Sequence, residues 1–242
     1  MDAQPSTDRQ SRFGYQFAEE FHSLNNTPIY GYEDQPLVSL RQAMEPLLRE
    51  VHGLDQWITT SLNQSDPRKK LLMQDEMAAI YLYTMPIIFF KKLNKTLRQG
   101  NRLQLESWLP FLKLFITALN KLDDYEGPVY RCVRRDIADQ FNDGTDKTWL
   151  SFNSCSKVLK LAEAYLDHGG TLVMIQVFNG KDISSFSAFP EEEEILLLPG
   201  CRFRLLGGSA NPVPNLHLLS IEQIGFNRGL YMLVNQEEHN LL

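Results

Sequence analysis

Residues Phe189-Pro190-Glu191-Glu192-Glu193-Glu194-Ile195-Leu196-Leu197-Leu198-Pro199-Gly200 run carboxylates straight into aliphatic side chains and end at a Pro-Gly turn. An apolar run of this length between turn residues predicts a buried strand. Side chains alternate along a strand, so Glu192 and Glu194 would share one face and Glu193 would take the other. Two carboxylates fixed on one face suit chemistry on a developing positive charge. The same residues also read as a solvated acidic turn. A slip of one residue would put Glu191 and Glu193 in their place.

Two upstream segments add partners. Val129-Tyr130-Arg131-Cys132-Val133 is a β-rich run with one cation in its middle. Trp149-Leu150-Ser151-Phe152-Asn153-Ser154-Cys155-Ser156 is aromatic and rich in hydroxyls. In chain order the three segments supply a cation, a hydroxyl cluster and a carboxylate pair.

This order, with these local contexts, resembles the arginine-serine-glutamate class of NAD-dependent mono-ADP-ribosyltransferases, and most of all the arginine-specific ecto-transferases. There the first strand reads like Val-Tyr-Arg-Gly-Val, the second like Phe-Ser-Ser-Cys-Ser, and the third like Glu-x-Glu-Ile-Leu. The flanks also fit: Gly180-Lys181-Asp182-Ile183 and Phe186-Ser187 precede the acidic run, and Leu198-Pro199-Gly200 and Phe203 follow it. The likeness covers roughly residues 30–222 and reaches Asp75 to Tyr81 and Trp108 to Leu122.

The resemblance implies transfer of ADP-ribose from NAD, the co-substrate, to arginine side chains of an acceptor protein, with release of nicotinamide. Glu194 would face the oxocarbenium-like transition state. Glu192 would orient the acceptor guanidinium, whose fork matches a carboxylate. Ser154 would orient Glu194, with Ser156 and Ser151 as weaker hydroxyl candidates. Arg131 would hold the phosphates of NAD, with Ser154 and Ser156 beside it. Phe189, at the tip of the acidic turn, would touch the acceptor. The chain departs from the family at Cys132, where glycine is usual; a side chain there would crowd the phosphates if it faced them. An NAD glycohydrolase with the same site, or a non-catalytic NAD-binding interaction module, would carry the same residues. No metal is implied.

The rest of the chain must position these groups. It has 242 residues, 43% of them hydrophobic, enough for a sizeable core. A net charge of -6, from 24 basic and 30 acidic residues, argues against nucleic acid as a partner. Three cysteines give no disulfide framework and no zinc spacing. The first residues lack the basic start and apolar stretch of a signal peptide, and the most apolar window, Met77 to Phe90, is too short to span a bilayer. A cytoplasmic location is the resulting expectation.

Residues 1–12 read as a disordered tail. Phe13, Phe17, Phe21 and Leu24 recur at helical spacing. Ser39 suits a helix N-cap, and Pro46 predicts a break in the helix after it. Gln74-Asp75-Glu76 opens a helix expected to run to Gly100, and Trp108 to Leu122 is another. From Pro128 short β-rich runs take over: 129–133, 150–153, 171–178, 195–198, 201–206, 216–223 and 230–233, with a helix over 158–166. The expectation is α+β, one domain over 13–242. Its helical half, about 13–125, would pack on a mixed β-sandwich core, about 126–235, of the ADP-ribosyltransferase type.

Overall fold

The computed structural model describes residues 21–22, 29, 31–66, 68, 70–134, 136–141, 144–159, 170–207, 210–213 and 216–226. Helices come first: α1 (Leu40–Met44), α2 (Leu54–Gln64), α3 (Gln74–Thr84), α4 (Ile88–Gln99), α5 (Arg102–Glu106) and α6 (Leu109–Asn120). Nine strands form one sheet among the described residues: β1 (Phe21–His22), β2 (Asp124–Val133), β3 (Lys147–Trp149), β4 (Asn153–Ser156), β5 (Gly170–Asp182), β6 (Glu194–Leu197), β7 (Cys201–Leu205), β8 (Ala210–Val213) and β9 (Leu216–Phe226). This is the expected α+β arrangement, with the helices on the N-terminal side of the chain.

Local sequence accounts for the helix ends. Ser39 caps α1 in a reciprocal capping box with Gln42, and Pro46 turns the chain into a 3-10 segment over Glu45–Leu47. The single helix expected from Gln74 to Gly100 is two. Pro86 lacks an amide N–H and disfavours helical backbone before it, so Met85 is extended and α4 starts afresh at Ile88. Gly100 ends α4 in the left-handed conformation, φ 61°.

The sheet order is β1-β3-β7-β9-β5-β2-β4-β6, with β8 on β9. The β5–β9 pair is parallel and the others are antiparallel. β5 is long enough to serve two neighbours. Thr171 to Lys181 pair with β2, and Lys181 and Asp182 also pair with Leu196 and Ile195 of β6. Strands β5, β2, β4 and β6 therefore close on themselves, and all three signature segments lie in that ring.

Several expectations need correction. Phe21–His22 is a short strand paired with Thr148 and Trp149, not part of a helix. The run expected at 150–153 divides into β3 and β4, with Leu150 to Phe152 as the link. β2 and β5 extend beyond the expected 129–133 and 171–178. The expected tail over 1–12, most of the helix over 158–166 and the strand at 230–233 fall outside the described residues.

Two apolar cores hold the layers. The helical core includes Tyr83, Phe89, Phe111 and Phe115, and takes in Phe152 and Leu196 from the sheet side. Phe115 stacks on Tyr83 and meets Phe152 edge-on, each with ring centroids 5.0 Å apart. Asn94 ties the same link by its polar groups: its Oδ1 accepts from the Phe152 amide and its Nδ2 donates to the Tyr83 hydroxyl. The helices thus fix the start of β4. The second core packs Val129, Val133, Cys155, Val173, Ile175, Ile195 and Phe203 within the sheet.

Candidate active site

The four glutamates split by burial. Glu192 and Glu194 are 6% and 0% exposed, while Glu191 and Glu193 are exposed. The alternation comes from a different backbone than a strand. Pro190–Glu192 is a 3-10 turn, Glu193 is left-handed at φ 44° and ψ 52°, and only Glu194 begins β6. Among the described residues Glu193 is the one non-glycine with positive φ. Such a conformation costs an L-residue roughly 1–2 kcal/mol, so the surroundings must hold it.

Glu194 lies directly opposite Ser156 across the antiparallel β4–β6 pair, and Ser154 lies opposite Leu196. Directly opposite residues share a face, so both hydroxyls lie on the face of Glu194: Ser156 as its cross-strand partner, Ser154 on the diagonal. The Ser156 hydroxyl donates to the Glu192 carbonyl at 2.9 Å and accepts from the Val158 amide at 3.0 Å. One residue therefore touches both carboxylate-bearing positions through their backbone. Ser151 sits in the preceding link and accepts from Arg98 at 3.2 Å.

Arg131, 1% exposed, donates through Nη1 to the Ser154 carbonyl at 2.8 Å. That bond ties the cation strand to the hydroxyl strand. Arg131 lies opposite Val173, and the next residue, Cys132, lies opposite Leu172. Alternation sends the two side chains to opposite faces of β2. Cys132 accordingly packs with Leu172 in a small separate cluster flanked by Tyr130, Leu216 and Leu218. Cys132 therefore does not share the face of β2 that carries Arg131.

The carbonyls before and at the start of β6 are held from both sides. The Lys157 amide donates to the Glu193 carbonyl at 3.2 Å, and the Ile183 amide donates to the Glu194 carbonyl at 3.1 Å. Behind β6, Gly180 packs so tightly that a Cβ there would lie 2.5 Å from Cγ2 of Ile195. Only glycine lets β5 approach β6 this closely.

Further side chains complete the turn, among them Lys157 and Thr84, which the motif reading did not name. Lys157 Nζ lies 2.9 Å from Asp182 Oδ2 and 3.6 Å from Glu193 Oε2. Asp182 Oδ1 accepts from the Ser184 amide and hydroxyl. The bond to Asp182 raises the Lys157 ammonium above its ordinary value. Burial alone would raise the Asp182 carboxyl, but the bonds from Ser184 and Lys157 outweigh it and the group sits below its ordinary value. Thr84 of α3 accepts from the Ala188 amide at 2.8 Å. Phe189 is half-buried and its amide donates to the Ser187 hydroxyl. Between α3 and this loop lies a cleft of about 300 Å³ lined by Asp66, Met77, Tyr81, Phe186, Ser187 and Pro190, among others.

Among the described residues no helix is long and apolar enough to cross a membrane, and no cluster of three or more His, Cys, Asp or Glu is placed to hold a metal ion. Cys132, Cys155 and Cys201 are unbridged and buried; burial pushes the Cys201 thiol well above its ordinary value.

The model of the family described as NAD:arginine ADP-ribosyltransferase matches residues 41–223. The Mycobacterium avium (strain 104) protein Mav, named as an NAD(+)–arginine ADP-ribosyltransferase, is 32% identical over 144 residues; the match covers 58% of this chain and 17% of Mav. The chain thus spans under a fifth of that relative's length. The crystal structure of the ADP-ribosyltransferase HopU1 of Pseudomonas syringae pv. tomato DC3000 superposes with TM-score 0.57 at 21% identity, over 92% of this chain and 99% of HopU1. The eukaryotic mono-ADP-ribosyltransferase ART2.2 gives TM-score 0.60 at 19% identity, over 83% and 92% of the two chains. These two likenesses are of fold. The family match takes in the arginine of β2, the serines of β4 and the glutamates before and in β6, and the chain belongs to the NAD:arginine ADP-ribosyltransferase family.

Proposed function

We propose that this chain transfers ADP-ribose from NAD to an arginine side chain of an acceptor protein. The observation that carries the reading is the burial of Glu192 and Glu194 on either side of an exposed Glu193, in a chain of this family. A buried carboxylate acts in a low-dielectric setting, where its effect on a nearby developing cation is strongest.

In this reading the bond from ribose C1′ to the nicotinamide nitrogen breaks, and nicotinamide leaves with the bonding pair. Glu194 faces the cationic ribose. Ser154, on the face of Glu194, orients it, while the Ser156 hydroxyl holds the Glu192 carbonyl. Arg131, tied by Nη1 to the Ser154 carbonyl, binds the phosphates through its planar guanidinium. A guanidinium nitrogen of the acceptor then bonds to C1′, and Glu192 takes the proton it loses. Phe189 and the cleft beside α3 lie on the acceptor's side of the turn. The buried thiols suit a reducing compartment, and we place the chain in the cytoplasm.

Nicotinamide release from NAD by the purified chain, with and without an arginine-like acceptor such as agmatine, tests the reading. Acceptor-dependent release that is lost in Glu194→Gln supports it. Release that ignores the acceptor points to hydrolysis by the same site.

A further inference from the structure

Glu193 separates the two buried carboxylates, and its left-handed backbone sets how they stand relative to each other. Neither glycine nor asparagine occupies the position, so the sequence gives this conformation no intrinsic support. Residue 157 meets Glu193 twice, once through a backbone bond that any residue there would keep and once through the lysine side chain. Its amide donates to the Glu193 carbonyl at 3.2 Å, and its ammonium lies 3.6 Å from the Glu193 carboxylate. The same ammonium is anchored at 2.9 Å to Asp182, the last residue of β5, which Ser184 holds in turn. Asp182 pairs with Ile195, next to Glu194. Lys157 therefore bridges the end of β5 and the acidic turn immediately beside both glutamates.

We infer that Lys157 is a positioning residue, which by locking Glu193 fixes Glu192 against Glu194 and so sets the balance between transfer to arginine and hydrolysis of NAD. The two glutamates depend on it unequally. Glu194 is paired with Ser156 in β4, and its carbonyl also accepts from Ile183. Glu192 stands outside the ladder, held by the 3-10 turn and the Ser156 hydroxyl. Loss of the Lys157 ammonium, with the backbone bond kept, should release Glu192 first. A partly exposed ion pair adds little to global stability, so the effect should be on the turn and not on the fold. A rival role, direct binding of an NAD phosphate by the ammonium, would show in NAD affinity.

The partition half of this inference rests on the proposed transferase reading; the positioning half does not. The test compares the full chain with Lys157→Met and Lys157→Arg. It measures ADP-ribosyl-agmatine formation, NAD hydrolysis, the KM for NAD, the melting temperature and amide hydrogen exchange over residues 183–193. In Lys157→Met, exchange at Glu192 and Glu193 should quicken. Transfer should fall about tenfold or more relative to hydrolysis, as misplacement by an ångström suffices for that. The KM for NAD should hold and the melting temperature should move by no more than about 2 °C. Lys157→Arg should restore the ratio. Unchanged exchange overturns the inference, as does a parallel fall of both activities with a raised KM for NAD. If the wild-type chain modifies no arginine acceptor, the transferase reading fails, and the exchange arm still decides whether Lys157 positions the turn.

Discussion

Ser156 and Glu194 face each other across β4 and β6, and the Ser156 hydroxyl reaches on to the carbonyl of Glu192 at 2.9 Å. One buried serine thus pairs with one of the two glutamates and bonds the backbone of the other. The strand pair fixes Glu194, the hydroxyl fixes the turn that carries Glu192, and the adjacent Lys157 holds the residue between them.

Glu194→Gln keeps size and hydrogen-bonding shape but removes the charge facing the ribose. Loss of such stabilisation should lower nicotinamide release by a factor of about 100 to 1,000, roughly 3–4 kcal/mol. The β4–β6 backbone pairing is untouched, so circular dichroism should show the fold retained. Near-normal release by this variant would take Glu194 out of the chemistry.

Glu192→Gln should separate the two fates of NAD. The residue lies in the 3-10 turn outside the strand ladder. Transfer to agmatine should drop far more than hydrolysis, by at least about tenfold in their ratio. Chromatographic quantification of ADP-ribosyl-agmatine against free ADP-ribose checks this, and equal losses would remove Glu192 from the acceptor's side.

Arg131→Lys keeps the charge and gives up the planar fork. A guanidinium can offer a phosphate several N–H donors in one planar fork, and an ammonium does not reproduce that geometry. NAD affinity measured by titration calorimetry should fall on the order of tenfold. Unaltered affinity would make Arg131 a structural residue.

Cys132→Gly tests the departure from the family's usual glycine. The side chain packs on Leu172, on the face of β2 opposite Arg131. Replacement should leave NAD affinity unchanged and lower stability by about 1–2 kcal/mol, from glycine's entropy in a strand plus the lost buried contact. Tighter NAD binding by the variant would contradict this placement.

The elements legible in the sequence were those whose signals are local. The aliphatic run after Glu194 and the β-rich run around Arg131 are strands because their side chains are buried by what lies on either face. The capping residues Ser39 and Gly100 and the helix breakers Pro46 and Pro86 acted where they stand, although Pro86 divides a helix expected to continue. What required the fold was non-local. Phe21 stands at helical spacing from Phe13, Phe17 and Leu24, but it and His22 pair with Trp149 and Thr148, far along the chain. β4 begins at Asn153 because Phe152 is drawn into the helical core by Phe115 and Asn94.

The site shows the same division. Types and order singled out Glu192, Glu194, Ser154, Ser156 and Arg131 as candidates, and the structure buries all five. The turn at Glu193 was not legible, since no glycine or asparagine announces a left-handed residue there. Lys157 and Asp182 were also missed as a pair. They are 25 residues apart and meet only because β4 and β5 both border β6.

The most direct test is mass spectrometry of the products formed by the purified chain from labelled NAD and agmatine. The account predicts an ADP-ribosyl-agmatine adduct, formed in step with nicotinamide and absent in Glu194→Gln. Nicotinamide and free ADP-ribose with no adduct would contradict transfer to arginine and leave a glycohydrolase.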